Sequence, residues 1–267
     1  MNEQSHHQRD EHGHHGRVAV ITGAGGGLGV PIAHRFAADG YTTVLVGRTE
    51  STLRRAVESG PDGGDMHPWV GDISDLAAIT ALMDGVAKRF GHLDVLVNNA
   101  GLALPGTVES TTEDDYRAMM SVNVDGLFFA SRAALPHLRA VGGSIVNIGS
   151  VGGVRGDWKQ AVYNTAKGAV VNLTNAMALD HGREIRVNAV HPGVTASTEA
   201  IRAALAEGTP LRERFDDRVP MARPGDPTEV AAVVAFLAGF GASYVNGAHI
   251  PVDGGLTASN GQTDLYR

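Results

Sequence analysis

Residues 18–29 read Val18-Ala19-Val20-Ile21-Thr22-Gly23-Ala24-Gly25-Gly26-Gly27-Leu28-Gly29. A short apolar run passes directly into a glycine loop, and the helical pattern Val30–Asp39 follows it. Glycines at such a turn permit positive φ and let backbone N–H groups approach a ligand closely. The N-terminus of the next helix adds unpaired donors and the positive end of a dipole, which together suit a pyrophosphate. The common fingerprint GxGxxG fails, because its third glycine falls on Leu28; TGxxxGxG fits, through Thr22, Gly23, Gly27 and Gly29. No Gly-Lys-Ser/Thr follows, which excludes a P-loop. A glycine-rich turn without a ligand is the competing reading.

Outward from this stretch, short strands alternate with longer amphipathic segments. The strands are 18–22, 42–46, 66–71, 93–98, 144–149, 185–190 and 248–252. Helical patterns cover Val30–Asp39, Ser51–Glu58, Asp75–Phe90, Glu113–Leu138, Tyr163–Asp180 and Thr228–Leu237. Nearly continuous apolar strands separated by helices predict a parallel sheet covered on both faces. The fold class is therefore α/β: a single-domain, doubly wound Rossmann fold with a seven-stranded parallel sheet. No Pro/Gly/Ser linker marks a second domain. Residues 1–16, with five histidines among polar residues, read as a disordered tail, natural or appended, with at most weak metal affinity. Residues 17–267 are the dinucleotide-binding and catalytic domain. The polar stretch Thr195–Arg218 breaks the spacing and suits a mobile segment over a site.

Composition narrows the class. Among 267 residues there is no cysteine, which removes disulfides, thiolate nucleophiles and Cys-bearing metal sites; no metal site is expected. Glycine accounts for 35 residues, about 13% and roughly twice its usual ~7% share. A net charge of −7 and 5% aromatics argue against a nucleic-acid partner. The longest apolar stretch, Val230–Ala242, is too short for a membrane span, and the N-terminus lacks a signal-like apolar segment. A cytoplasmic protein with no membrane partner is expected.

The second strand ends in Gly47-Arg48-Thr49, without the carboxylate that would hydrogen-bond the ribose of NAD. Arg48 can pair with a 2′-phosphate, which favours NADP(H) over NAD(H). Alternatively Arg48 stacks on the adenine or points to solvent, and the nearby Glu50 weighs against the phosphate reading.

Further segments complete a pattern: Asn98-Asn99-Ala100-Gly101, Asn123 in Ser121–Gly126, Ser150 after a strand, and Tyr163-Asn164-Thr165-Ala166-Lys167. Pro192-Gly193, the run from Pro220 to Ala231, and Val252-Asp253-Gly254-Gly255 follow in order. From Arg17 to about Ala258 the chain resembles the short-chain dehydrogenase/reductase family.

Tyr163 and Lys167 are four residues apart, on one face of a helix. An ammonium beside a phenol lowers a pKa otherwise near ~10, so Tyr163 is the expected general acid/base. Ser150, at the carboxyl end of a strand, can hydrogen-bond the same substrate oxygen and stabilise its charge. The resemblance implies that Lys167 also binds the nicotinamide ribose and that Asn123 holds a water in a proton relay. It places the pyrophosphate over Gly23, Gly25, Gly26, Gly27, Leu28 and Gly29. Asp72 and its neighbour Ile73 match the adenine contact, with a helix N-cap as the alternative for Asp72. Asn99, Ala100 and Gly101 match the adenosine ribose segment, and Pro192, Gly193, Val194 and Ser197 the nicotinamide carboxamide segment. The family often has threonine where this chain has Ser197, so Thr195 or Thr198 are alternatives.

The expected reaction interconverts a ketone and a secondary alcohol by hydride transfer, EC 1.1.1.-, on a small-molecule substrate. Two alternatives are a 3-oxoacyl thioester reductase and a non-catalytic dinucleotide-binding regulator. The proton-transfer groups argue against the regulator. Leu102–Pro105, Val151–Trp158 and the 195–218 segment should shape the pocket, with Arg155 and Trp158 lining it. Arg202, Arg212, Arg214 and Arg218 could attract an acyl carrier or coenzyme A thioester, but they alternate with acidic residues and read as a solvated surface. The resemblance implies a homotetramer, with Val230–Ala242 and the C-terminal segment as a possible interface.

Overall fold

The computed structural model describes residues 16–260 and 262, so the reading of residues 1–15 as a tail lies outside the described residues. Seven strands form one sheet: β1 (Val18–Thr22), β2 (Thr42–Gly47), β3 (Met66–Val70), β4 (Val95–Asn98), β5 (Ser144–Ile148), β6 (Arg186–Pro192) and β7 (His249–Val252). Their order is β3-β2-β1-β4-β5-β6-β7, and every neighbouring pair is parallel. The architecture is the single-domain doubly wound sheet that the sequence predicts. After β1 the chain builds to one side, and from β4 onward to the other. Such a reversal opens a crevice at the carboxyl ends of the strands.

Period-two alternation decides which side chain enters which half of the core. Ala19 and Ile21 of β1 pack with Ile32, Phe36, Leu45 and Val234, whereas Val18 and Val20 pack with Ile79, Leu82, Leu96 and Leu138. The first face is covered by α1 (Gly29–Ala38), α2 (Glu50–Glu58) and a late helix, Pro227–Ala238. The second is covered by α3 (Leu76–Phe90) and by helices from residues 127–141 and 161–181.

Three expectations are corrected here. The predicted helix 113–138 is α4 (Glu113–Met120), a π-helical turn Ser121–Gly126, and α5 (Leu127–Val141). The turn lies against the chain after β3: a Cβ on Gly126 would stand 2.9 Å from the Ile73 carbonyl. Such insertions often mark functional positions, because widening the turn redirects a side chain; here that side chain is Asn123. Second, the 195–218 segment, given no helical pattern above, is partly helical. After the short α6 (Val151–Val154) and the long α7 (Ala161–His181), it carries α8 (Glu199–Ala204) and α9 (Pro210–Arg218). The hydroxyls of Thr198 and Thr209 cap these helices by accepting from the amides of Ile201 and Arg212. Third, most of Val230–Ala242 is core. Val230, Val234 and Leu237 of α10 (Pro227–Ala238) are fully buried, and Phe236 and Phe240 are the large apolar residues of that stretch left exposed.

Candidate active site

A cleft of about 680 Å³ opens along the carboxyl edge of β1, β4, β5 and β6. That volume lies within the ~300–1,000 Å³ range usual for small-molecule sites. Its wall includes Gly23, Gly26, Gly27 and Leu28 after β1, Arg48 after β2, Asp72 and Ile73 after β3, and Asn99, Ala100 and Gly101 after β4. Ser150, Tyr163, Lys167, Pro192, Gly193, Val194 and Ser197 continue it. Residues far apart in sequence thus converge on one surface.

The glycine loop divides by role. A Cβ on Gly26 or Gly27 would meet nothing within 4 Å, so these positions present bare backbone to open space. Gly25 and Gly29, expected beneath the pyrophosphate, instead allow close packing away from the cleft wall. A Cβ on Gly25 would press Thr52 Oγ1 at 2.5 Å, and one on Gly29 would collide with the Gly23 carbonyl and lie 2.7 Å from Ala24 Cα. Thr22 and Asn99 tie the loop to β4. The Thr22 hydroxyl accepts from the amides of Asn99 and Ala100, and Asn99 Nδ2 donates to the carbonyls of Thr22 and Gly23 at 2.9 and 3.2 Å. The Asn99 side chain is therefore spent on holding the loop.

At the other end, Asp72 does not cap a helix. Its carboxylate accepts from the amide and hydroxyl of Ser74, which hold it below the usual carboxylate range, with a smaller contribution from the Arg48 charge. Asp75 takes the cap of α3, accepting from the amides of Ala77 and Ala78. Glu50 pairs with Arg54 at 2.5 Å.

The Tyr163–Lys167 end of the cleft is built on α7. Contrary to the lowering expected from Lys167, burial pushes Tyr163 above its ordinary pKa; Ser150 acts in the opposite direction and the Asp157 charge adds to the rise. Lys167, fully buried, donates from Nζ to the Ile148 carbonyl at 2.8 Å and stands 5.8 Å from the Tyr163 ring centroid. Burial brings Lys167 down to about 8. Ser150 caps α6 by accepting from the Gly152 amide at 3.1 Å. Gly101 keeps the space between Asn123 and Lys167 clear: a Cβ there would lie 3.1 Å from Asn123 Oδ1 and 3.7 Å from Lys167 Nζ. The Asn123 amide donates to the carbonyls of Leu102 and Met119, and its oxygen accepts from the Leu102 amide. That bonding fixes the Leu102 segment and leaves the oxygen a second lone pair.

Among the carboxamide candidates, the Thr195 hydroxyl donates to the Gly193 carbonyl and Thr198 caps α8, which leaves Ser197 to face the cleft. Arg155 and Trp158 are corrected: both are exposed and neither forms the cleft wall, Trp158 being 91% exposed. Arg202 pairs with Glu199 and Arg212 with Asp216. Sequence reasoning missed Val122, Ile148 and Gln160 in the wall, whereas Ile201 falls in the 195–218 segment expected to shape it. Only Gln160, three residues before Tyr163, carried a usable signal.

The residues fit a nicotinamide dinucleotide: bare glycine backbone at a helix start, then a polar tip beyond β2 and β3, then the Tyr163–Lys167 end. The family model described as Enoyl-(Acyl carrier protein) reductase matches residues 23–257. The chain belongs to the short-chain dehydrogenase/reductase family, and with it is an NAD(P)-dependent oxidoreductase acting on CH–OH groups. It is 46% identical to the meso-2,3-butanediol dehydrogenase of Serratia marcescens over 93% of this chain and 98% of that protein. It is 36% identical to the NADP-dependent (R)-specific alcohol dehydrogenase of Lentilactobacillus kefiri, over 91% and 97%. Among solved structures, a gluconate 5-dehydrogenase from Burkholderia cenocepacia, in complex with NADP and tartrate, superposes with a TM-score of 0.84 at 34% identity, over 92% and 96% of the two chains. Among the described residues, no helix is long and apolar enough to cross a membrane.

Proposed function

We propose that the chain interconverts a small secondary alcohol and its ketone, with Tyr163 as the general acid/base. The observation that carries this reading is the convergence in one cleft of Ser150, Tyr163 and the buried Lys167 with the bare backbone of Gly26 and Gly27. When bound, the nicotinamide supplies the hydride in reduction and accepts it in oxidation. In reduction Tyr163 gives its proton to the carbonyl oxygen, while the Ser150 hydroxyl hydrogen-bonds that oxygen as charge develops. In oxidation the proton returns to Tyr163. Lys167 places a positive charge behind the phenol ring, favouring the phenolate at the moment the proton leaves. Asn123 holds Leu102 at the wall and offers Oδ1 toward the space beside Lys167, where a water can carry the proton onward. Gly23, Gly26, Gly27 and Leu28 would hold the pyrophosphate, with Gly25 and Gly29 setting the loop's shape. Asp72 and Ile73 would hold the adenine, Asn99, Ala100 and Gly101 the adenosine ribose, Lys167 the nicotinamide ribose, and Pro192, Gly193, Val194 and Ser197 the carboxamide.

NADP(H) is the preferred cofactor in this reading. Arg48 is exposed at the cleft near Asp72, no carboxylate stands at the tip of β2, and Glu50 is engaged by Arg54. A small substrate is favoured over an acyl carrier thioester because Arg202 and Arg212 are neutralised by acidic neighbours. The homotetramer and the cytoplasmic setting belong to the same proposal; exposed Tyr116 and Phe128 on α4 and α5, with Phe236 and Phe240, supply apolar surface for assembly. A panel of ketones and alcohols, followed at the reduced-nicotinamide absorbance with each cofactor, tests the reading. Turnover of secondary alcohols or their ketones, faster with the phosphorylated cofactor, is expected. Cofactor binding without turnover across the panel would return the regulator reading.

A further inference from the structure

Ser150 stands in an extended conformation, φ −166° and ψ 153°, among glycines: Gly149 precedes it, and Gly152 and Gly153 follow Val151. Its hydroxyl oxygen accepts from the Gly152 amide at 3.1 Å, and its carbonyl accepts from the Gly153 amide at 2.9 Å. Each of these glycines lies hard against a neighbouring element. A Cβ on Gly149 would collide with Nδ1 of His191 on β6 and lie 2.5 Å from its Cε1. One on Gly152 would lie 2.7 Å from Oδ1 of Asn164 on α7, and one on Gly153 would stand 2.5 Å from the carbonyl carbon and oxygen of Lys167. The serine segment is therefore held between β6 and α7, with His191 touching it from the strand and Asn164 from the helix.

Both side chains are fixed from behind. His191 is 1% exposed; its Nε2 lies 2.9 Å from His249 Nδ1 on β7, and His249 Nε2 lies 2.8 Å from Asn175 Oδ1 on α7. The two rings stack with centroids 5.1 Å apart, which leaves the His191 imidazole one place to stand. Asn164, the residue after Tyr163, donates from Nδ2 to the Asp157 carbonyl at 3.0 Å and so ties down the loop beyond α6. Among the described residues, His191 Nδ1 and Asn164 Oδ1 are two of four buried side-chain polar atoms without a hydrogen-bond partner. Leaving such an atom unpaired costs about 1–3 kcal/mol, and each case calls for a reason. Here both atoms border the backbone that carries the serine hydroxyl.

We propose that His191 and Asn164 are positioning residues for Ser150: they clamp the Gly149–Gly152 backbone and so set where the serine hydroxyl stands relative to Tyr163. The inference rests on the reading of Ser150 as the group that hydrogen-bonds the reacting oxygen. A serine hydroxyl has one proton and two lone pairs and rotates to suit its partners. With the Gly152 amide occupying one lone pair, the proton is left for another acceptor, and the substrate oxygen receives it when the backbone beneath is fixed. Placement matters steeply, since a shift of about 1 Å at a reacting centre costs on the order of 10²-fold in rate. Neither side chain belongs to the cleft wall, so both act through the serine.

The test is a set of double-variant cycles on the full chain with the best ketone of the panel, read as kcat beside cofactor titrations and melting curves. His191→Ala and Asn164→Ala should each lower kcat about tenfold with cofactor affinity unchanged. In a Ser150→Ala background, assayed at high enzyme concentration, neither should lower kcat further by more than a factor of about two, because residues acting as a unit are non-additive. Merely structural damage would lower both backgrounds alike. A second pair decides the matter where Ser150→Ala falls below detection. Gly149→Ala drives a methyl into the His191 ring and should slow turnover about tenfold or more. Adding His191→Ala clears that space, so the double variant should turn over faster than Gly149→Ala alone. Wild-type kcat in either His191→Ala or Asn164→Ala, equal losses in the two backgrounds, or a double variant no faster than Gly149→Ala overturns the inference and leaves the oxidoreductase reading intact. Wild-type kcat in Ser150→Ala overturns the serine's role and the inference with it. No turnover by the wild type across the panel overturns the functional reading as well.

Discussion

Lys167 Nζ donates to the Ile148 carbonyl at 2.8 Å while standing 5.8 Å from the centroid of the Tyr163 ring. The ammonium is buried, bonded to the backbone of β5, and set behind the phenol rather than on its hydroxyl. Burial brings Lys167 to about 8, against 10.5 ordinarily. Between those values the unfolded chain holds a proton that the folded chain lacks, so the folded state gains stability as pH rises from about 8 to about 10.5. The gain is about 3 kcal/mol at 1.36 kcal/mol per pKa unit. Lys167→Met removes this slope. Unfolding free energies at pH 7.5 and pH 10.5 should show the wild type gaining on the variant across that interval, and turnover of the variant should fall about a hundredfold or more.

The proposed preference for NADP(H) rests on Arg48. Charge-assisted hydrogen bonds contribute about 1.5–3 kcal/mol. Arg48→Ala should therefore weaken NADPH binding about tenfold to a hundredfold and leave NADH binding within a factor of about two. Titration of both cofactors against both proteins checks this; equal NADPH affinity in the two removes the phosphate role.

Gly26 and Gly29 separate binding from folding. Gly26→Ala adds a methyl to open space, so thermal stability should hold while affinity for either cofactor drops. Gly29→Ala drives a methyl into the Gly23 carbonyl and Ala24. Overpacking of this kind costs about 1–3 kcal/mol, so its melting temperature should fall. Melting curves beside cofactor titrations distinguish the two.

His191 gives the fold an acid limit. Its Nε2 lies 2.9 Å from His249 Nδ1, and His249 Nε2 lies 2.8 Å from Asn175 Oδ1. Burial first, then the neighbouring His249 and Lys167, brings His191 down to about 4, with the Ser150 backbone opposing. Stability from keeping it neutral is fully present above about 6.5 and is lost as pH falls toward 4, about 3 kcal/mol in all. His191→Asn should lose less stability than the wild type between pH 7 and pH 4, measured by urea unfolding at each pH.

The strands were legible because residues such as Val18–Thr22 are buried on both faces, which leaves a nearly continuous apolar run in the sequence. The parallel, doubly wound class followed from the glycine loop and the alternation with helices. The break at Ser121–Gly126 was not legible, since a π turn keeps the composition of a helix and differs only in its hydrogen bonding. The helices within 199–218 were hidden by their polarity, as neither buries a residue. At the site, Tyr163 and Lys167 could be paired by spacing alone. The separate tasks of Gly26 and Gly29 could not, because identical residues in one loop face open space and backbone respectively. Trp158 was misplaced for a related reason: proximity in sequence to Ser150 does not fix which way a loop side chain turns.

The central claim is that Tyr163 transfers the proton. Kinetics of Tyr163→Phe with the best ketone of the panel, beside a cofactor titration of the same protein, test it most directly. General acid/base catalysis contributes about 10²–10⁴-fold. The account predicts a kcat reduced by that order with cofactor affinity unchanged; a variant that binds cofactor and turns over as fast as the wild type would contradict it.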